Sequence, residues 1–245
     1  PILSEISGWS LSKGFMGGVF DGRYVYMVNY AYGFFVRYDT TKNFNEDASW
    51  ERYDIVTNVD GEAKRFKGGV FDGRYIYLVP FYYDTIVRYD TTSSFTSATS
   101  YLVYATGVGK EGRYGAVFDG RYIYYVPYNN GSVFGSVKRY DTTVNFTEAG
   151  SYTDYDTTNV DAGSKGFVGA VFDGRYVYFV PYNNGIQFGQ VTRYDTGAMP
   201  RTRGIAQIAT SSELKVTAAG NVEMSGDLAV TGATTLNSTL GVTGL

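Results

Sequence analysis

The chain is written in short β-type runs. Phe15-Met16-Gly17-Gly18-Val19-Phe20 is apolar and rich in glycine. Residues 23–30 alternate around Tyr24, Tyr26 and Val28. A third run ends in Arg37-Tyr38-Asp39-Thr40, and after a polar loop carrying Phe44 a fourth opens at Trp50. Alternation at a period of two predicts strands with two unlike faces. No sustained helical period competes with it.

The pattern returns. Val19-Phe20-Asp21-Gly22-Arg23-Tyr24-Val25-Tyr26 recurs at 70–77, 117–124 and 171–178, with Phe-to-Phe spacings of 51, 47 and 54 residues. Each copy has the same four segments, except that the fourth copy reads Gly197-Ala198-Met199-Pro200 where the Phe-bearing loop belongs. Aligning Phe20 with Phe172 places residues 2–6 on the missing fourth strand. Asp-Gly between the first two segments predicts a type I′ hairpin, and Pro80, Pro127 and Pro181 end the second strand.

A period near fifty built of four strands points to a radial architecture. The chain resembles β-propellers with blades of about fifty residues, such as the hemopexin-like and kelch-like classes. Neither class's signature residues are present, so the resemblance implies architecture only. The expectation is an all-β, four-bladed β-propeller over residues 1–200, with the N-terminal strand completing the last blade and hiding two edges. Blades before Pro1 would raise that count.

The pattern changes beyond a linker at 201–213. From Leu214 a period of six appears, with Gly220, Gly226, Gly232, Ser238 and Gly244 in one phase. Apolar residues such as Val222, Met224, Leu228, Val230, Leu236 and Val242 stand between them. Residues 214–245 are too few for a single-chain β-helix to bury a core, whereas three chains side by side solve that problem. Runs such as Leu228-Ala229-Val230-Thr231-Gly232 resemble the trimeric β-helix or β-prism segments of bacteriophage tail fibres. The resemblance implies a homotrimeric stalk, with more fibre expected beyond Leu245.

Composition narrows the chemistry. The 245 residues carry no Cys and no His, which excludes disulfides, thiolate chemistry, His-based triads and the usual zinc sites. No metal or cofactor is expected. The formal net charge of −3 leaves no basic block for nucleic acid, and no apolar run is long enough to span a membrane.

The repeated Asp21, Asp72, Asp119 and Asp173 fit a carboxylate ring, but a glycine follows each one, which favours turns. The Arg-Tyr-Asp-Thr residues read as pairs between strands. The non-repeating acids Glu46, Asp47, Glu51, Glu62, Asp84, Glu111 and Glu148 fall mostly in polar loops, so no glycosidase pair stands out. Binding is expected where the copies diverge, in the loops after the second strand. These carry Tyr128, Asn129, Asn130 and Phe134 in copy three and Tyr182, Asn183, Asn184 and Phe188 in copy four. Shorter loops carry Tyr32 in copy one and Tyr82 and Tyr83 in copy two. Aromatic faces with amides suit sugars, and Asn-Gly turns explain the same residues.

The tail-fibre resemblance implies a non-enzymatic virion attachment protein whose partners are other virion proteins and a bacterial surface glycan or protein receptor. A head fibre or capsid decoration fits equally. The rivals are a lectin-like propeller of a bacterial surface protein and a glycan-cleaving enzyme.

Overall fold

A computed structural model describes residues 14–197, with backbone at 214–216 and 222–224. The chain divides into two units, Pro1–Pro200 and Arg201–Leu245. In the first, β1 (Phe15–Phe20), β2 (Tyr24–Asn29), β3 (Phe34–Asp39) and β4 (Trp50–Asp54) form an antiparallel sheet in chain order, called blade 1. Blade 2 is β5 (Phe66–Phe71), β6 (Tyr75–Pro80), β7 (Thr85–Asp90) and β8 (Tyr101–Ala105). Blade 3 is β9 (Arg113–Phe118), β10 (Tyr122–Pro127), β11 (Ser136–Asp141) and β12 (Tyr152–Asp156). Among the described residues blade 4 has three strands, β13 (Phe167–Phe172), β14 (Tyr176–Pro181) and β15 (Thr192–Asp195). The segment expected to add its fourth strand lies outside the described residues.

In the second unit, β16 (Leu214–Val216) pairs antiparallel with β17 (Val222–Met224), joining Leu214 to Met224 and Val216 to Val222. The rest of the expected stalk, and the linker, lie outside the described residues.

The first hairpin of each blade departs from the expected type I′ turn. Asp21 N–H donates to Tyr24 O at 3.2 Å, so the two loop residues are Gly22 and Arg23 rather than Asp-Gly. Positive φ falls on Gly22 alone, at 104°, which is the type II′ pattern with glycine first. The cause is the Asp21 carboxylate. Its Oδ1 accepts from Arg23 N at 2.8 Å and Tyr24 N at 2.6 Å, and its Oδ2 accepts from the Tyr26 hydroxyl at 2.8 Å. Asp72, Asp119 and Asp173 do the same, so these four acids shape turns. A second carboxylate clamps each hairpin from β3 or its counterpart. Arg23–Asp39, Arg74–Asp90, Arg121–Asp141 and Arg175–Asp195 pair at 2.7, 2.8, 2.7 and 2.9 Å.

Blades pack through their faces. The inner strands meet glycine on glycine. A Cβ on Gly17 would lie 2.9 Å from the Gly68 Cα, and those on Gly68 and Gly115 would lie 3.5 and 3.2 Å from the next Cα. Farther out the interfaces are aromatic. Between blades 1 and 2, Tyr26 and Phe35 pack on Tyr89 and Phe95, and Tyr53 stacks on Tyr101. Between blades 2 and 3, Tyr77 packs on Tyr140 and Phe146, and Tyr104 stacks on Tyr152. Phe44, Phe95 and Phe146 hold the same repeat position, and the second and third of them fill the preceding blade's face.

Three buried clusters result, one between each consecutive pair of blades. Among the described residues the inner strands trace an arc of four blades. Inner strand β1 packs on β5, β5 on β9 and β9 on β13, with no comparable contact from β13 to β1. A Cβ on Gly169 would meet nothing within 4 Å. Tyr53 and Tyr101 stack at 5.2 Å and 19°, and Tyr104 and Tyr152 at 4.4 Å and 9°. Blades 1, 2 and 3 therefore stay in contact from inner to outer strand.

Candidate ligand-binding rim

The residue that follows the second strand is aromatic in every blade: Tyr30, Phe81, Tyr128 and Tyr182. Their rings form one row across the four blades, with centroids 6.2, 6.3 and 5.8 Å apart. Backbone bonds fix this row to the segments entering the inner strands. Tyr30 N donates to Gly14 O at 3.0 Å, Tyr128 N to Gly112 O at 3.1 Å, and Gly112 N to Phe81 O at 2.8 Å. So close an approach requires glycine. A Cβ on Gly112 would lie 2.3 Å from Asn129 O, and one on Gly166 1.7 Å from Asn183 O.

Blade 2 breaks this rule. Arg65 stands where the other copies have Gly14, Gly112 and Gly166, and it keeps their left-handed backbone at φ 59°. An L-residue in that region costs about 1–2 kcal/mol relative to its ordinary conformations. Such strain persists where surrounding structure imposes it, and it concentrates at functional sites. The Arg65 guanidinium lies 5.1 Å from the Tyr82 ring and 5.6 Å from the Tyr30 ring.

Two residues on, Lys67 replaces the Met16, Tyr114 and Val168 of the other copies. Its amine is 3.8 Å from the Phe81 centroid, 4.5 Å from Tyr114, 5.6 Å from Tyr128 and 5.8 Å from Tyr30. Lys110 lies over Phe81 and Tyr82, and Lys64 over Tyr83. Among the described residues none of these four cations pairs with a carboxylate. Burial, and the like charge of Lys110, push the Lys67 pKa down. The rim therefore holds concentrated positive charge in a chain that is net negative. An anion placed there would relieve that repulsion, and flat apolar rings of the ligand would stack on the row.

Of the residues expected from the loops, Tyr128 and Tyr182 lie in the row, and Tyr82 and Tyr83 lie against its cations. The others make contacts of their own. Asn129 Oδ1 accepts from Gly131 N at 3.0 Å and Asn183 Oδ1 from Gly185 N at 2.8 Å, which closes their own loops. Asn184 Nδ2 donates to Gly163 O at 3.3 Å, Phe188 packs on Phe167, and Tyr32 N–H is held by Asn29 Oδ1 at 2.7 Å. Asn130 and Phe134 line an adjoining cleft of about 230 Å³ with Lys110, Glu111, Arg113, Lys138 and Asp154.

That cleft holds two acids that break the repeat. Arg113 replaces the phenylalanines 15, 66 and 167, and Lys138 replaces the valines 36 and 87. Glu111 pairs with Arg113 at 2.7 Å, and Asp154 with Lys138 at 2.8 Å. The cations thus neutralise both carboxylates in a largely buried network. Among the described residues no cluster of three or more acids is placed to hold a metal ion.

A third cleft, of about 200 Å³, lies between blades 3 and 4 and is lined by Tyr124, Arg139, Tyr155 and Tyr194. The two preceding interfaces fill that position with Phe95 and Phe146. Residues 198–200, which align with that loop, lie outside the described residues.

Arg65, Lys67 and Lys110 were absent from the loop-based expectation. The signal that marks Arg65 and Lys67 is a departure within otherwise matching copies: arginine for glycine, and lysine for an uncharged side chain.

No family model matches the chain, and no curated protein matches its sequence. Among solved structures, a catalytically inactive virginiamycin B lyase from Staphylococcus aureus with quinupristin is similar over 86% of this chain and 69% of its own, at 12% identity and a TM-score of 0.51. The computationally designed Ika4 protein is similar over 74% of this chain and 90% of its own, at 12% identity and a TM-score of 0.47. Hydrazine synthase of Kuenenia stuttgartiensis is similar over 74% of this chain, at 15% identity and a TM-score of 0.48, and the chain spans 50% of its length. At such identities the likeness is one of fold, and that fold is the β-propeller type.

Proposed function

We propose that this chain is a non-enzymatic attachment protein whose rim binds an anionic glycan, one bearing carboxylate or phosphate groups. The observation that carries the reading is Lys67, its amine set among four rings with no carboxylate partner among the described residues. A neutral sugar would use the rings alone, whereas an acidic one also meets Lys67, Arg65 and Lys110. The six-residue period from Leu214 supports a trimeric β stalk of the tail-fibre kind and a place on a virion. Three rims on one stalk would bind a repetitive surface polymer by avidity even where each is weak.

The test is titration of the full chain with uronic-acid and matched neutral oligosaccharides. Binding is expected to favour the acidic ligand and to fall with salt. Lys67→Met should weaken it roughly tenfold, or ~1.4 kcal/mol. Arg65→Gly should weaken it too while raising the unfolding midpoint, because glycine relieves the left-handed strain. Equal affinity for neutral and acidic sugars, or an unchanged affinity in Lys67→Met, would sink the reading. Release of a shortened sugar would replace it with an enzymatic one.

A further inference from the structure

We propose that two copies of this chain pair end to end, blade 4 of each seating on blade 1 of the other, to close a single propeller ring. The inference is independent of the rim and of its ligand.

It starts from positions that are buried at every internal interface and open at the ends. Val191 is 60% exposed, while its counterparts Phe35, Ile86 and Val137 are 1%, 0% and 5% exposed. Val180 is 41% exposed, against buried Val28, Val79 and Val126. Val171 and Arg193 on the same face are also exposed. At the other end Phe44 is 52% exposed, while Phe95 and Phe146 are 2% and 1% exposed. Behind Phe44, Val25 and Met27 are only half-buried, whereas Ile76 and Leu78 in blade 2 are fully covered.

The two end faces are the two halves of one interface. Blades 1, 2 and 3 each present the blade 4 face to a following blade. Blades 2 and 3 each present the blade 1 face to a preceding blade. The internal contacts also specify the register. Phe35 packs 5.6 Å from Phe95, so Val191 belongs opposite the second copy's Phe44. Arg37 lies 4.5 Å over Phe95 and Arg88 4.8 Å over Phe146, so Arg193 belongs over the same ring. The second copy's Tyr38 hydroxyl would accept from Arg193, as Tyr89 accepts from Arg37 at 3.4 Å and Tyr194 from Arg139 at 3.3 Å.

For the chain as given, the blade count sets the number of copies. Propellers contain about four to eight blades. The arc of four formed by the described residues leaves both end faces open, and two such arcs give eight blades, within that range. A head-to-tail contact that closes gives a finite ring and leaves no open end.

The experiment is mass measurement on the full chain, with cross-linking. Pairing alone gives two chains, and pairing combined with a trimeric tail gives six. Val191→Asp should halve either mass, to one or three. Its secondary structure should be unchanged, since the side chain is exposed in a single copy. The chain has no cysteine, so Phe44→Cys and Val191→Cys place unique thiols. A short bismaleimide should join the two variants when they are mixed, and neither variant to itself. A wild-type mass of one or three chains, a mass that Val191→Asp leaves unchanged, or self-linking of either single variant would each overturn the pairing.

Discussion

The faces between blades and the faces at the ends of the arc are built from the same repeat positions, yet they live in different surroundings. Inside, the aromatics from blades 2 and 3 plug the faces of the blades before them, and glycine meets glycine along the inner strands. At the ends the same side chains stand in solvent. Features confined to one blade behave differently. The Asp turns and Arg–Asp clamps recur in all four blades whether or not a neighbour is present. The stabilisation of this fold therefore has two components. One is local to each blade, and the other exists only between blades.

The sharpest way to break that contrast is to remove its aromatic plugs. Phe146→Ala empties a buried site walled by Tyr77, Tyr140 and Tyr152, and truncations of this kind cost about 3–5 kcal/mol. Phe44→Ala makes the same chemical change at an exposed position and is expected to stay within about 0.5 kcal/mol in dilute solution, where copies are apart. Urea unfolding of both variants checks this. Equal losses would mean that blade 1 is covered like the others.

Much of the fold was legible in the sequence because its signals are local. Period-two alternation located the strands, and the return of Val-Phe-Asp-Gly-Arg-Tyr located the blades. The turn type was less legible. It depends on the Asp21 carboxylate taking the Tyr24 N–H, which moves the loop one residue along. The packing between blades was less legible, because it depends on contacts between residues far apart in the chain, such as Tyr53 on Tyr101 and Tyr104 on Tyr152. At the rim, loop divergence led to Tyr128 and Tyr182. It led equally to Asn129 and Asn183, whose amides close their own loops. Arg65 and Lys67 were on view as substitutions within a repeat. Their meaning needed the left-handed backbone at Arg65 and the rings around Lys67.

A second comparison isolates the backbone part of the interface. Gly17 and Gly169 share a repeat position and nearly the same φ, 111° and 106°. Alanine at either one should lose about 1–2 kcal/mol to left-handed strain. Only at Gly17 does the new methyl also press on the Gly68 backbone, and overpacking of that kind adds about 1–3 kcal/mol. The difference between the two unfolding free energies in dilute solution is the cost of bringing two inner strands together. No difference would mean that glycine is kept there for φ alone.

The smallest effect concerns the component that should not distinguish interior from end. The Arg121 guanidinium, with the Thr143 hydroxyl and N–H, holds the Asp141 carboxyl down at about 2, against the resistance of burial. An unfolded aspartate titrates near 3.9. A depressed folded pKa adds stability above the unfolded value, and that stability is lost as pH falls from about 4 toward about 2. Asp141→Asn imitates the protonated acid, so its urea midpoint should fall below wild type near pH 6 and converge with it near pH 2. Arg175 and the Gly197 N–H likewise lower the Asp195 pKa in blade 4. Asp195→Asn should therefore show the same sign and the same convergence, although its blade ends the arc. A pH response present in blade 3 and missing in blade 4 would mean that the clamp depends on a neighbouring blade, and the division between local and interfacial stabilisation would fail.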